Sequence, residues 1–553
     1  MKKHYLLLVI AMFAVTAASA AERTWQQKRQ IALSILGTQA QTRSAQAGEL
    51  KLLKEGTGLS VLGYDGGGFA VIANDDSQEA VLGWSDSKFS TDLPDGLEWW
   101  LEAADAALSA QTDYVREYLP GDIDPSLPAE VAPMIQTVWG QSAPYNLLCP
   151  NDYPSGCVAT AMSQIMYYHK YPAHSTGVII DGGVGGVVDL SGITYDWDNM
   201  LLDYRNGYTA EEGNAVATLM RYAGVAAYMS YASGGSGTAS VNAAVALRDN
   251  FSYHENVGFR TRRYHSTDDW MTMVYNELAA GRPILYGAQD ALGSGGHAFV
   301  FDGYRADGFV HVNWGWDSDG NGYYDIELLN PTMIGSTFEY SEDQDMITGI
   351  GLPDDNIEHR SELVCNGNLG ASYTGGRLTV NTASLSLYNF NIYAFDGDIL
   401  IKLTGDNGDY TLETVSFADS PIRMFIRTST GAQFYGGRFD SNYTTTLPDG
   451  LPDGTYTLYL AVRDGGYTET SPMSYAEGAV SFYTLTKSGN SVTLEPGYGM
   501  ITSGIESVTV SAGIDAKASD NRIYSIDGRY VGTDAAQLPK GLYIKGGKKF
   551  VKR

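Results

Sequence analysis

Three residues of this chain could together do thiol chemistry. Cys157 stands in Ser155-Gly156-Cys157-Val158-Ala159-Thr160-Ala161. His297 follows 140 residues later in Gly295-Gly296-His297-Ala298-Phe299-Val300, and Asn313 opens Asn313-Trp314-Gly315-Trp316. A sulfur nucleophile, an imidazole to take its proton and an amide to hold that imidazole in one tautomer are the parts of a covalent acyl-transfer site. Ser155 reads as the N-cap of a helix that Pro172 ends. Cys157 then lies in the first turn, where free backbone N–H groups and the positive helix end favour thiolate. Asn313 is expected to bond His297, with Trp314 shielding that bond from water. Gln141, together with the backbone N–H of Cys157, would supply the donors for an oxyanion. Gly296 would let a substrate backbone pass close to the imidazole. Two other histidines compete with His297. His311 shares the strand face of Asn313, whereas His169 sits about three turns down the Cys157 helix, out of reach.

These residues need a scaffold that brings distant positions together. With 553 residues the chain exceeds one ordinary core. Its 64 glycines and 38 tyrosines point to many turns and much strand. Residues 1–20 read as a secretory signal: Lys2-Lys3-His4, an apolar run from Tyr5 to Val15, then Ala18-Ser19-Ala20 as a cleavage site. No later stretch is apolar enough to span a bilayer. A polar helix from Glu22 to about Gln46 is expected next. Strands at 59–62, 68–73 and 80–84 and a helix over 97–118 complete a small α+β unit. An acidic, Pro-rich connector follows at 120–128, and no Lys or Arg occurs between Arg116 and Lys170. Residues 131–355 mix helical stretches (158–171, 210–229, 241–250) with strands (283–289, 298–304, 309–314), as an α+β catalytic domain would. From about 360 to 500 the alternation in Ile399–Leu403 and Thr455–Val462 predicts a β-sandwich. A short β tail over 505–553 ends in basic residues.

Charge and cysteine content exclude several classes. A formal charge of −28 repels nucleic acid and anionic lipid. Three cysteines, Cys149, Cys157 and Cys365, are too few for a disulfide framework in an exported chain. A Cys149–Cys157 bridge is possible by spacing and would disable the nucleophile. No Cys/His set has zinc spacing, and the thiol chemistry calls for neither metal nor cofactor. Asp317-Ser318-Asp319-Gly320-Asn321-Gly322 matches the first half of an EF-hand loop, but position twelve is Leu328, leaving a loose Ca²⁺ site or an acidic turn as the readings.

The block from Gln141 to Trp316 resembles the streptopain family of secreted bacterial cysteine peptidases. The resemblance rests on Gly140-Gln141, Pro144-Tyr145-Asn146, Gly156 to Ala161, Tyr195-Asp196-Trp197-Asp198-Asn199-Met200, Gly296 to Val300 and Asn313 to Trp316. It implies a papain-like α+β fold and peptide hydrolysis through an acyl-thioester. Cys157 would be nucleophile, His297 base then acid, Gln141 the oxyanion donor, and Asn313 with Trp314 the orienting pair. The glycine-rich stretch 232–237 matches the family's substrate-binding loop in position, which implicates Gly235 and Ser236. Phe69 to Asp76, Ala80 to Ser85 and Leu97 to Leu101 resemble that family's inhibitory prosegment, so residues 21–130 would be the chain's own inhibitor. With no basic residue in the connector, self-cleavage is expected after Val131-Ala132 or Met134-Ile135. Ile523 to Arg529 with Leu538 to Ile544 resembles the C-terminal sorting domains of Bacteroidota secreted proteins, implying a secreted or surface location. Two rival readings are a thiol amidase acting on cell-wall peptide and a surface adhesin with an inactive central domain.

Overall fold

The computed structural model describes residues 21–39, 49–90, 92–110, 116–181, 186–289, 296–329, 344–424 and 436–499 apart from position 477, with short strands at 426–428, 431–433, 523–525, 530–532, 541–545 and 548–552. The expected signal at 1–20 and most of the C-terminal tail lie outside these residues.

A ten-stranded sheet organises the first two thirds of the chain. The N-terminal unit contributes helix α1 (Trp25–Gln39), strands β1 (Lys51–Glu55), β2 (Leu59–Gly63), β3 (Phe69–Ala73) and β4 (Val81–Ser85), and helix α2 (Asp95–Ala110). After the connector come α3 (Cys157–His169), a hairpin of β5 (Val178–Asp181) and β6 (Gly186–Asp189), α4 (Ala210–Ala226), α5 (Ser240–Asp249), β7 (Gly258–Thr261) and α6 (Thr267–Ala279). Then follow β8 (Ile284–Gln289), β9 (Gly296–Tyr304), β10 (Val310–Asn313), β11 (Gly322–Tyr324) and β12 (Asp345–Thr348). The strand order is β1-β2-β3-β4-β11-β10-β9-β8-β12-β7. The N-terminal unit is therefore not a separate layer. Strand β4 pairs antiparallel with β11, Ser85 opposite Gly322 and Gly83 opposite Tyr324, so one sheet runs through both regions.

Period-two alternation gives the sheet two apolar faces. Leu285, Ala298, Val300 and Ile347 point into one core, and Ile284, Phe299, Phe301 and Met346 into another. The first core holds α3, α4 and α5. The second holds α6 and, from the N-terminal unit, Leu97, Trp100, Leu101 and Ala104 of α2. Helix α6 escaped the sequence reading; Ser266 caps it, its side chain accepting from the Asp269 N–H at 3.2 Å.

The connector re-enters the sheet earlier than its sequence suggests. Val131 exchanges both backbone hydrogen bonds with Tyr304, at 2.8 and 2.9 Å, and Met134 N donates to the Asp302 carbonyl at 2.9 Å. Ile135 is buried. The expected cuts at Val131-Ala132 and Met134-Ile135 thus fall on bonded backbone, whereas Asp124, Pro125, Ser126, Pro128, Ala129 and Glu130 are exposed.

From Leu363 every regular element among the described residues is a strand. An antiparallel path through 398–405, 408–416, 454–463, 480–488 and 491–498 packs over a core with smaller three- and four-stranded sheets. Its first residues are tied to the central region, because Val364, Phe390 and Ile392 belong to the core that holds α3.

Candidate active site

Helix α3 begins at Cys157, with Gly156 rather than Ser155 as N-cap and no side-chain cap. Gly156 has φ 91°, a left-handed conformation that favours glycine, and a β-carbon there would come within 2.8 Å of Met229 and 2.9 Å of the Ser236 carbonyl. Ser155 serves the turn differently: its N–H donates to the Gln141 carbonyl at 3.0 Å, and its hydroxyl lies 3.3 Å from that of Thr160. The Gln141 backbone is thereby tied to Ser155, two residues before Cys157. Ser236 is buried against Gly156, and Gly235 beside it is exposed at φ 138°. Backbone bonds between Ser230 and Gly237, at 3.0 and 3.1 Å, close that loop.

Strand β9 brings its first residues to the same place. Gly296 is exposed, His297 is buried, and the side chains of Cys157 and His297 are hydrogen-bonded to each other. Burial alone raises the thiol pKa. The His297 hydrogen bond and charge, with the Ala298 and Val158 amides, outweigh it and hold Cys157 below the ordinary thiol value. For His297 burial lowers the pKa. Its contact with Cys157, the Asp95 carboxylate and the Trp314 carbonyl reverse this, and the imidazole is raised. The arrangement favours a thiolate–imidazolium pair. His297 Nε2 faces the Trp314 carbonyl at 3.4 Å. A carbonyl only accepts, so Nε2 carries the proton and Nδ1 is left for the thiol.

Asn313 does not bond His297 as the sequence suggested. Its Nδ2 donates to the Thr137 carbonyl at 3.0 Å and to Gln164 Oε1 at 3.2 Å, and its Oδ1 accepts from Gln164 Nε2 at 3.2 Å and from the Gly315 N–H at 3.0 Å. Asn313 is saturated by these partners, and it acts on the turn that aims the Trp314 carbonyl. Trp314 accordingly shields no Asn–His bond. Its buried ring packs on Phe299, centroids 4.7 Å apart, and its indole N–H donates to the Gly320 carbonyl at 3.0 Å. Gln164, fully buried on α3, was not singled out from the sequence. The signal was there: Cys157, Thr160 and Gln164 recur at helical spacing in an otherwise apolar helix.

The competing histidines lie elsewhere. His311 Nδ1 pairs with Asp302 Oδ1 at 2.6 Å, near the other end of β9. His169 contacts the Tyr253 hydroxyl at 3.2 Å, and burial lowers its pKa to about 4. All three cysteines are free thiols. The acidic loop is matched by cations of the chain itself: Lys88 lies 3.2 Å from Asp319, and Arg205 donates to the Asp317 carbonyl at 3.0 Å and to the Ser318 hydroxyl at 2.8 Å.

The N-terminal unit closes the site. Asp95 at the start of α2 lies 3.9 Å from His297 Nδ1. A β-carbon on Gly96 would come within 2.7 Å of the imidazole and 2.8 Å of the Trp314 ring. Beside Trp316 is a cavity of about 480 Å³, lined by Tyr145, Tyr204 and Asp317 of one region and by Lys88, Ser90 and Asp92 of the other.

Comparison with known proteins agrees with this geometry. The profile of the peptidase C10 family matches residues 139–324. The thiol protease/hemagglutinin PrtT of Porphyromonas gingivalis is 33% identical over 377 residues, covering 62% of this chain and 42% of that protein. The chain thus spans less than half the length of that relative. Streptopain of Streptococcus pyogenes is 28% identical over 316 residues, covering 51% of this chain and 77% of streptopain. Among solved structures, a fragment of prointerpain A from Prevotella intermedia is 38% identical, with a TM-score of 0.50, over 55% of this chain and 99% of that fragment.

Proposed function

Because this chain belongs to the peptidase C10 family, we propose that it is a secreted cysteine endopeptidase made as a zymogen, which hydrolyses peptide bonds through an acyl-thioester. The observation that carries this reading is the Cys157–His297 hydrogen bond at the head of α3, with two backbone amides on the sulfur. Cys157 attacks the scissile carbonyl, and His297 passes the proton to the leaving amine. Water then attacks the thioester, with His297 as base, and the acid leaves. The Cys157 amide and the Gln141 side chain bind the oxyanion, and Gln141 reaches this position because its carbonyl is tied to Ser155. Asn313 is a positioning residue: with Gln164 it holds the Trp314 carbonyl that selects the His297 tautomer. Gly235, Ser236 and Gly296 border the groove and take the substrate backbone.

Residues 21–130 are read as the inhibitory segment, since Asp95 and Gly96 stand against the imidazole. Activation cuts the exposed stretch 124–130, upstream of the bonded Val131. Export is supported by the reading of residues 1–20. Among the described residues no helix is long and apolar enough to cross a membrane.

The test is digestion of casein by the processed protein, with and without reductant, beside Cys157→Ala. Reductant-dependent digestion absent from Cys157→Ala is expected. Equal digestion by the variant, or labelling of the protein by a thiol-directed peptide analogue at a cysteine other than Cys157, would overturn the assignment.

A further inference from the structure

At the far end of β9 from His297, about 20 Å away at strand rise, an arginine of the N-terminal unit is sunk into the peptidase region. The Arg116 side chain is 3% exposed. Its Nε lies 3.2 Å from Asp325, itself buried, and 2.9 Å from the half-exposed Glu79 of its own unit. Nη1 donates to the Asp307 carbonyl at 2.9 Å, and the guanidinium carbon sits 4.1 Å from the Phe309 ring centroid. Gly308, at φ 82°, carries no side chain; a β-carbon there would meet Arg116 Nη1 at 3.1 Å. The next two residues are read by backbone. Both oxygens of the buried Glu327 carboxylate accept, from Glu117 N–H at 2.7 Å and Tyr118 N–H at 3.0 Å. The Tyr118 ring then stacks on Tyr275, centroids 5.5 Å apart.

We propose that Asp307, Phe309, Asp325 and Glu327 form a guanidinium socket on the peptidase region, specific for an arginine followed by two residues whose backbone N–H groups are offered to one carboxylate and the second of which is a tyrosine, and that it retains the severed N-terminal unit through Arg116–Tyr118. The inference rests on the zymogen reading and adds to it that the cut makes release possible without causing it at once: the inhibitor leaves, and activity appears, only when the clasp dissociates. The physical ground is what departure would leave behind. Asp325 and Glu327, buried with the unit in place, would lose their cation and their N–H donors, and breaking such a pair costs more than the pair is worth when formed. Burial and the neighbouring Asp325 push the Glu327 carboxyl up to about 8 against the pull of the Glu117 and Tyr118 N–H groups, so their departure would raise it further. The same clasp is reinforced by the β4–β11 pairing.

The experiment starts from the self-processing full chain, stopped by thiol alkylation once the connector is cut, then run on a sizing column with mass analysis. The N-terminal unit is expected to co-elute with the peptidase region for the wild type and to separate for Arg116→Gln, cut at the same place. In parallel, the peptide Arg116–Asp122, acetylated and amidated, is titrated onto the peptidase region recovered from the cut Arg116→Gln chain once its N-terminal unit has separated, against its citrulline analogue, which keeps the shape and loses the charge. The arginine peptide should bind at least about tenfold tighter, without slowing turnover of a small substrate, and Asp325→Asn should erase the difference. Elution of the wild-type unit away from the enzyme, equal retention of Arg116→Gln, equal binding of the two peptides or binding of neither would each overturn the socket. The socket in the peptide arm keeps its natural sequence, so a failure of Asp325→Asn to fold leaves the arginine–citrulline comparison intact. A chain that is fully active without any cut would instead overturn the zymogen reading.

Discussion

Gly96 stands so close to His297 that any side chain there would collide with the imidazole, since a β-carbon would come within 2.7 Å of its Cδ2. The neighbouring ring of Trp314 leaves no room to shift, because it is fully buried and packed on Phe299. Gly96→Val therefore has to lift the start of α2 off the site. Overpacking of this kind costs about 1–3 kcal/mol. In the Cys157→Ala background, hydrogen exchange should show α2 losing protection while α3 keeps it. In the active chain, processing should become faster. Unchanged protection and an unchanged processing rate would mean that α2 does not bear on the imidazole in solution. Asp95→Asn should do much less, because the Asp95 side chain is 68% exposed and its charge is screened.

Truncations at the site should separate by role. Cys157→Ala abolishes turnover and processing, and His297→Ala nearly does. Asn313→Ala leaves the Thr137 carbonyl and the Gln164 amide buried without their partner, at about 1–3 kcal/mol each. It should lower the melting temperature visibly while retaining more kcat/KM than His297→Ala. Gln164→Ala should reproduce the Asn313→Ala profile, a result that a direct Asn313–His297 bond would not give. Melting curves and kcat/KM measured on the same preparations check this. Loss of all activity in Asn313→Ala with an unchanged melting point would restore Asn313 as a direct partner of the imidazole.

The catalytic elements were legible because their constraints are local. A small-residue turn before Cys157 and the Pro172 stop beyond α3 can be seen in a few residues, although the expected Ser155 cap is not made. The alternation that lets β9 face two cores is equally local. What escaped was set by long-range pairing. The sequence around Tyr323 gives no sign that β11 will accept β4 of the N-terminal unit. Asn313 and Gln164 meet head to head across 149 residues, and nothing near either predicts it. The connector looked loose from Pro120 to Pro128, and so it is in part. Yet Val131 belongs to the sheet because Tyr304 offers both a free carbonyl and a free N–H at the end of β9. Strand edges of this kind are invisible until the sheet is assembled.

The thiol–imidazole pair predicts a bell in reactivity with pH. The Cys157 pKa is lowered in the folded chain, so its stabilising charge is present above that value and lost as pH falls through it. The His297 pKa is raised, so its contribution is complete at low pH and lost as pH rises through it. The pair is intact only between the two. Alkylation of Cys157 by iodoacetamide should stay fast well below the pH at which an ordinary thiol stops reacting. His297→Ala should move the rise in rate to higher pH. A rate profile of the wild type that follows a free cysteine, or one unaffected by His297→Ala, would remove the ion pair from the description.

The strand-rich region after Leu363 should prove to be more than a tethered passenger. Glu362, 1% exposed at its entrance, lies 3.1 Å from Arg260 and 3.2 Å from His265, both on the peptidase side. Arg360 reaches back to Asp269 at 2.9 Å. Burial alone would raise the Glu362 pKa, but Arg260 and His265 outweigh it and keep the carboxyl below its usual value. Removing one partner of a buried charged cluster typically costs about 3–5 kcal/mol, since the remaining charges stay desolvated. Glu362→Gln in the Cys157→Ala chain should therefore lower the stability of both regions, read as a shared drop in denaturant midpoint by probes on α3 and on the 454–463 strand. Stability from Glu362 is present above the unfolded carboxylate pKa and lost as pH falls through its depressed folded value, so the gap between variant and parent should narrow in acid. Two unlinked transitions, with only the strand-rich region destabilised, would show that the charged seam does not couple the regions.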